Sequence, residues 1–376
     1  MVERKLRVLH IAFNDLGNGG IQNQIMEIAR QTSKSVKNDI VVWKREPAFY
    51  DEEFKKYGNI FIVPHYEGKS KLRGKLDFFL RYFSVKKSIK KVIEENGPYD
   101  AVHSHKLFES AACLSAAHKA GVPVRIAHAH LTKTKGYRMT PVRFVISVYN
   151  SVYRRLIRKH ATNMIGCSRD AADYVFGKGY GDVVHIGIDT DKFDLLKCET
   201  VPRKNKRLLH VGNFSVHKNQ LFLVKVFSEL RKLRQDVELV MVGKESEYRK
   251  NVEKLIQDNG LSDYVIIKPH DVSIPYEMAN SDAFVFPSNF EGFGIVLVEA
   301  QAMGLKCFAS SEVPAETNCG LVSYLKLEDG AYKWAQTING FLQKDTLRKP
   351  VDVSEFSQET MANNILKIYC SDYKSI

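Results

Sequence analysis

Residues 286–304 read Phe-Pro-Ser-Asn-Phe-Glu-Gly-Phe-Gly-Ile-Val-Leu-Val-Glu-Ala-Gln-Ala-Met-Gly, and this stretch decides the fold. A short apolar strand, Ala283 to Phe286, is stopped by Pro287-Ser288, because proline cannot donate to a sheet ladder. Gly292 and Gly294 then permit backbone conformations or close approaches that a Cβ would hinder. From Ile295 onward, the spacing of Ile295, Leu297, Val298, Ala302 and Met303 predicts a buried helix. Glu291 in the turn and Glu299 in the helix flank amides that attract anions through unpaired N–H groups and the helix dipole. Such a pocket holds a phosphate with its amides and hydroxyls with its two carboxylates. Those are the needs of a nucleotide sugar.

Working outward, strands and helices alternate along all 376 residues, which predicts parallel sheets covered on both faces. The first half reads as strands 7–12, 39–44, 59–64, 101–105, 124–128, 163–168 and 183–188, and the second as strands 208–212, 237–243, 264–269, 283–287 and 306–309. Helices are expected over 21–32, 221–234, 245–259 and 295–303, with a last one over about 358–369. A chain of this length exceeds a single core. Two α/β domains are therefore expected, 1–188 and 206–357, joined by the polar, poorly periodic stretch 189–205 and followed by the terminal helix within 358–376.

Composition narrows the class. The chain is 44% hydrophobic and 26% charged, as in a soluble globular protein. It has no apolar run of about 18 residues to cross a membrane, and Met1–Arg7 leads straight into a strand without the apolar core of a signal peptide. Cys113, Cys167, Cys198, Cys307, Cys319 and Cys370 are scattered, which suits reduced thiols in a cytosolic protein. The net charge of +13 is lopsided. Residues 1–188 carry 32 Lys and Arg against 17 Asp and Glu, whereas residues 189–376 carry 24 against 26. An anionic partner is thus expected on the first half. Between Lys69 and Val92, nine basic residues interleave with Phe78, Phe79, Tyr82 and Phe83, and Asp77 is the one acid. That pattern suits either an interfacial helix on anionic lipid or a core-packed helix with a basic solvated face. No nucleic-acid-binding module is recognisable.

The string Pro-Ser-x-x-Glu-Gly-Phe-Gly-(x)4-Glu-Ala-x-Ala-x-Gly within 287–304 resembles the signature of the retaining glycosyltransferase family 4, which includes bacterial capsule and exopolysaccharide enzymes. The resemblance implies the GT-B fold, an α/β architecture of two Rossmann-like domains whose parallel sheets face a central cleft. It also implies an N-terminal acceptor domain, a C-terminal nucleotide-sugar domain and a last helix that crosses back onto the first. Gly292, Phe293 and Gly294 would shape the donor pocket, Glu291 would hold the donor sugar's hydroxyls, and Glu299 those of the ribose.

Other segments fit the same resemblance. Asn14–Gly20, with Gly19 and Gly20 before a helix, is similar to the family's Gly-Gly loop facing the donor phosphates. It is not the Gly-x-Gly-x-x-Gly of nicotinamide enzymes. His210–Gln220 is similar to the Gly-Arg-Leu-x-x-x-Lys segment that neutralises a diphosphate; Lys218 matches the lysine, and Asn213 stands where the family has arginine. His128 and His130 lie at i and i+2 on a strand and point the same way. They could bind a metal, serve as acid/base groups or donate hydrogen bonds. The sequence places no third ligand beside them, which disfavours a metal, and the family has a His at this strand end beside the donor sugar. His103 and His105, on the preceding strand, read as core or rim histidines. His270 would border the nucleotide base. Asp189-Thr190-Asp191 has the spacing of the metal motif of the other main glycosyltransferase fold, but its surroundings, Gly187 to Phe193, resemble the interdomain hinge of family 4.

The expectation is therefore a retaining, metal-independent glycosyltransferase without cofactor. It takes a nucleotide diphosphate sugar, UDP rather than GDP, and a hydroxyl of a saccharide acceptor that is lipid-linked or free. Peripheral attachment at the cytoplasmic face of an anionic membrane follows from the basic half. Competing readings are epimerisation or hydrolysis of a nucleotide sugar on the same fold, or a non-catalytic membrane-binding scaffold.

Overall fold

The computed structural model describes residues 4–12, 15–43, 47–64, 74–132, 141–344 and 347–371, excluding the side chains of 74–79 and 141–145. Two compact units emerge, Met1–Gly187 with Gln358–Ile376, and Ile188–Ser357. In the first, strands β1 (Leu6–Ile11), β2 (Val36–Val42), β3 (Ile60–Ile62), β4 (Ala101–Ser104), β5 (Val124–Ala129), β6 (Asn163–Gly166) and β7 (Asp182–Val183) form one sheet. Helices α1 (Gly20–Thr32), α2 (Asp51–Phe54), α3 (Gly74–Asn96), α4 (Ser110–Lys119), α5 (Pro141–His160) and α6 (Arg169–Phe176) connect them. The spatial order is β3-β2-β1-β4-β5-β6-β7, and all described pairings are parallel. The order reverses between β1 and β4, the place where open α/β sheets offer ligands their crevice.

The second unit repeats the plan. Its strands are β8 (Lys206–Val211), β9 (Val237–Val242), β10 (Val265–Lys268), β11 (Ala283–Phe286), β12 (Lys306–Ser310) and β13 (Val322–Leu325), in spatial order β10-β9-β8-β11-β12-β13. Helices α7 (Gln220–Leu233), α8 (Glu247–Asp258), α9 (Ile274–Ala279), α10 (Ile295–Ala302) and α11 (Gly330–Leu342) cover it. Strand β11 is apolar throughout, as a parallel strand buried on both faces tends to be; Ala283, Phe284, Val285 and Phe286 are all fully buried.

The structure departs from the sequence expectation at two strands. The edge strand β13 is absent from it, because Val-Ser-Tyr-Leu is half-buried and too short to show a period. The expected strand 183–188 shrinks to Asp182–Val183; beyond it, Ile188 makes only an isolated bridge to Ser357. Residues 189–205 form part of the second unit.

A final helix, α12 (Gln358–Tyr369), returns to the first unit. Its Met361, Ile365 and Tyr369 pack among Val8, Ile28, Val36, Val124 and Ile126. Each such side chain contributes about 1.5–3 kcal/mol on burial, so the helix is an integral layer of that unit.

Candidate active site

In the second unit the site is assembled from two loops that follow strands β8 and β11. Asn289 N–H donates to His217 O (2.8 Å), and its Nδ2 donates to Val216 O (2.6 Å). Asn219 Nδ2 donates to Pro287 O at 3.1 Å, with Asn219 itself left-handed at φ 57 before α7. These bonds hold the two loops side by side and bring Lys218 to Glu291, Nζ to Oε1 at 2.7 Å. The Lys218 stem runs over Gly212, where a Cβ would meet Lys218 Cδ at 3.1 Å, and its ammonium lies 4.6 Å from the Phe286 ring centroid. Gly294, at φ +92, opens α10 in a conformation that favours glycine. Phe293 beside it is buried against Phe356.

Glu299 differs from Glu291. Among the described residues its carboxyl makes no hydrogen bond, and it retains partial exposure. Burial pushes its pKa up to about 7, against a smaller opposing pull from Lys192. A half-sheltered carboxyl without a protein partner is ready to accept hydroxyls. Asn213 is exposed, its Oδ1 accepting from Lys244 N–H at 3.3 Å, and His270 is also exposed.

In the first unit Gly19 caps α1 in extended backbone (φ −134), so its value is not a left-handed turn. A Cβ on Gly20 would meet nothing within 4 Å. The first amides of this helix have no acceptor inside the helix.

The structure also gathers His10, His103, His105, His128 and His130, all buried, at the ends of β1, β4 and β5. His10 Nδ1 bonds His105 Nε2 (3.2 Å), and His105 Nδ1 bonds His130 Nε2 (2.8 Å). His103 bonds His128 Nδ1 through Nε2 (3.1 Å) and the Tyr369 hydroxyl through Nδ1 (2.8 Å). Burial holds His10 down at about 4 and His130 at about 3, and lowers the other three well below the ordinary value with help from neighbouring imidazoles. The sequence places no third ligand beside His128 and His130; the structure does, since one ring nitrogen each of His105, His128 and His130 lie within 4.8 Å of one another, as do those of His10, His103 and His105. Both nitrogens of His10, His103 and His105 are nonetheless occupied by hydrogen bonds, the second on His10 going to Asn38 Oδ1 (3.0 Å). A metal would have to displace those bonds. His10, Asn38 and Tyr369 escaped the sequence reading because nothing in linear order says which strands adjoin.

Residues 18–192 match the family described as Glycosyltransferase Family 4, and residues 191–348 the family described as Glycosyl transferases group 1. The putative glycosyltransferase EpsF of Bacillus subtilis is 33% identical over 349 residues, spanning 88% of this chain and 86% of that protein. The chain belongs to glycosyltransferase family 4. A second member, the capsular polysaccharide biosynthesis glycosyltransferase CapH of Staphylococcus aureus, is 23% identical over 97% of this chain and 99% of its own. The fold of this glycosyltransferase is GT-B: Anabaena HepE, solved in complex with UDP and glucose, superposes with a TM-score of 0.73 at 17% identity, over 99% of this chain and 100% of that one.

Two further segments of the glycosyltransferase can now be placed. Asp189 caps its own turn, Oδ1 accepting from Lys192 N–H (3.0 Å), and Asp191 pairs with Lys197 (2.9 Å) on the surface. Of the basic segment, Lys69, Lys71 and Arg73, and the side chains of Lys75, Asp77, Phe78 and Phe79, lie outside the described residues. The remainder is α3, where Arg81 pairs with Glu109, Lys90 with Glu94 (2.7 Å) and Lys91 with Glu95 (3.7 Å). Acids just beyond the segment thus offset part of its charge. No helix among the described residues is long and apolar enough to cross a membrane.

Proposed function

We propose that this glycosyltransferase transfers a sugar from a UDP-sugar, with retention and without a metal, to a hydroxyl of a lipid-linked saccharide in cell-surface polysaccharide synthesis. The observation that carries the reading is the Lys218–Glu291 pair, with Glu299 in the following helix lacking a hydrogen-bond partner among the described residues. The second unit holds the donor, with Glu299 on the ribose, Glu291 on the sugar hydroxyls, and Gly292, Phe293 and Gly294 shaping the turn. Lys218 exchanges its carboxylate partner for the diphosphate. The bond between the anomeric carbon and phosphate oxygen breaks as the acceptor oxygen attacks, and UDP leaves with the bonding electrons. The acceptor proton passes to the departing phosphate. Lys218 and the first amides of α10 stabilise the charge growing there. Asn213 adds no charge, so Lys218 carries most of that load.

The UDP in HepE supports the donor, and the capsular polysaccharide role of CapH supports the pathway class. Membrane attachment draws support from α3 and α5, which touch through Tyr82 and Tyr153 (5.6 Å between centroids). There Phe83, Ile146, Val148 and Val152 are exposed among basic residues, a composition suited to an anionic interface. The test is a thermal-shift panel of UDP- and GDP-sugars, followed by UDP release with and without acceptor saccharide and EDTA. Stabilisation by a UDP-sugar, with acceptor-dependent release that survives EDTA, is expected. Acceptor-independent release would favour a hydrolase. Loss on chelation, restored by Mg²⁺, would overturn metal independence.

A further inference from the structure

The buried histidines hold more order than five packed rings require, because one chain of hydrogen bonds has a direction that chemistry fixes. It starts in α1, where Thr32 Oγ1 donates its single hydrogen to Ile28 O (2.7 Å). Toward Asn38 the Thr32 oxygen can therefore only accept, so the Asn38 atom at 3.1 Å is the amide Nδ2. That places Asn38 Oδ1, an acceptor, 3.0 Å from His10 Nε2, which must carry a hydrogen. A neutral imidazole has one N–H. His10 Nδ1 then accepts from His105 Nε2–H, and His105 Nδ1 accepts from His130 Nε2–H. The line crosses the sheet through adjoining strands, from Asn38 on β2 and His10 on β1 to His105 and His130 just past β4 and β5. It stops at His130 Nδ1, which is buried and has no hydrogen-bond partner among the described residues.

We propose that this line is a polarity device: it holds His130 as the Nε2–H tautomer, so that Nδ1 offers only a lone pair, which accepts a hydroxyl hydrogen from the sugar substrate. Asn38, His10 and His105 are positioning residues, acting through His130 from as far as three strands away. The device discriminates by sign. A hydroxyl can donate to the bare nitrogen, whereas a phosphate or carbonyl oxygen meets a second lone pair and is repelled. The substrate side of this inference rests on the glycosyltransferase reading above; the tautomer side does not.

The experiment reads the two sides separately. Protein labelled with ¹⁵N-histidine is examined by long-range ¹H–¹⁵N correlation at neutral pH, with His130→Gln used to assign the His130 signals. The expected result is a bare Nδ1 and a protonated Nε2 at His10, His105 and His130. A His130 Nδ1–H tautomer, or an imidazolium, overturns the polarity. The second arm is Thr32→Val, which keeps the side chain's shape but frees the Asn38 amide to turn over and reverse the line. A second His130 population with Nδ1–H should appear, and transfer at saturating donor should fall roughly three- to tenfold, the loss of one substrate hydrogen bond. An unchanged tautomer in this variant overturns the role of Asn38 and Thr32, whatever happens to the rate. A changed tautomer with an unchanged rate overturns the contact with substrate. If Thr32→Val does not fold, Asn38→Leu serves as the anchor-free variant with the same two readouts. Failure of every sugar to react would break the glycosyltransferase reading, while the spectrum would still decide the polarity by itself.

Discussion

The first unit gathers five imidazoles where β1, β4 and β5 end, whereas the second sets one lysine and two glutamates around the loops after β8 and β11. Both places bury titratable groups at the carboxyl edge of a parallel sheet, yet they solve the cost of burial differently. The histidines stay neutral and satisfy one another. In the second unit Glu291 pairs with Lys218, and Glu299 has no hydrogen-bond partner among the described residues, its pKa raised to about 7. The first arrangement leaves two ring nitrogens without a hydrogen-bond partner among the described residues, His128 Nε2 and His130 Nδ1. The second has a carboxyl still waiting for one.

That contrast can be broken most sharply at Lys218. Lys218→Met removes the ammonium that would face the departing phosphate and breaks its ion pair with Glu291. Turnover should fall roughly 10²–10³-fold, as when one stabilising donor is lost from an active site. Steady-state kinetics with the donor chosen by thermal shift measures it, and near-wild-type turnover would remove Lys218 from the chemistry.

Acid should act next most strongly, and on the first unit. His10 and His130 have native pKa values of about 4 and about 3, below the ordinary 6.5. The unfolded chain therefore binds more protons below pH 6.5, and stability present above that pH is lost as pH falls toward 4. A shift from 6.5 to about 4 corresponds to about 3 kcal/mol at most for one histidine. Unfolding followed by the fluorescence of Trp43, the tryptophan of that unit, should show a midpoint that drops across this window. A flat profile would mean the cluster takes up protons while folded.

Glu299 predicts the opposite slope in the second unit. Its native pKa is raised to about 7 from the ordinary 4.5, so stability is complete below pH 4.5 and declines as pH rises through 7. Glu299→Gln should weaken donor binding by about 1.5–3 kcal/mol yet raise the melting temperature of the free protein at pH 8. Calorimetry and melting curves on the same sample decide this; a variant that loses both affinity and stability would make Glu299 a structural group.

The smallest effect belongs to the basic helix. Binding to anionic liposomes should weaken by about 1 kcal/mol for Lys87→Gln, and by less for Lys90→Gln or Lys91→Gln, because Glu94 and Glu95 already face those two. Cosedimentation at low salt measures the ranking, and equal binding to neutral liposomes would dismiss the electrostatic part.

Much of this was legible in the chain. The strand–turn–helix of 283–303 gave away its geometry through Pro287, Gly294 and the apolar spacing after Ile295, all of which act locally. Lys218 and Glu291, in contrast, lie 73 residues apart, and their contact depends on Asn219 and Asn289, whose side chains bond backbone across two loops. The histidine line was less legible still. His103, His105, His128 and His130 show as i, i+2 pairs, but the partnership with His10 and Asn38 needs the strand order β2-β1-β4-β5, which sequence order conceals. Exposed Ile146, Val148 and Val152 on α5 gave no signal, since an apolar face looks the same in sequence whether it is covered or bare.

The return of α12 to the first unit also sets a timetable for synthesis. Tyr369 both packs beneath β1 and β5 and holds His103 by its hydroxyl, so the first-made half of the chain stays unsealed until α12 has left the ribosome. The second unit, Ile188–Ser357, is complete before then and folds as a finished insert while the first waits with its underside open.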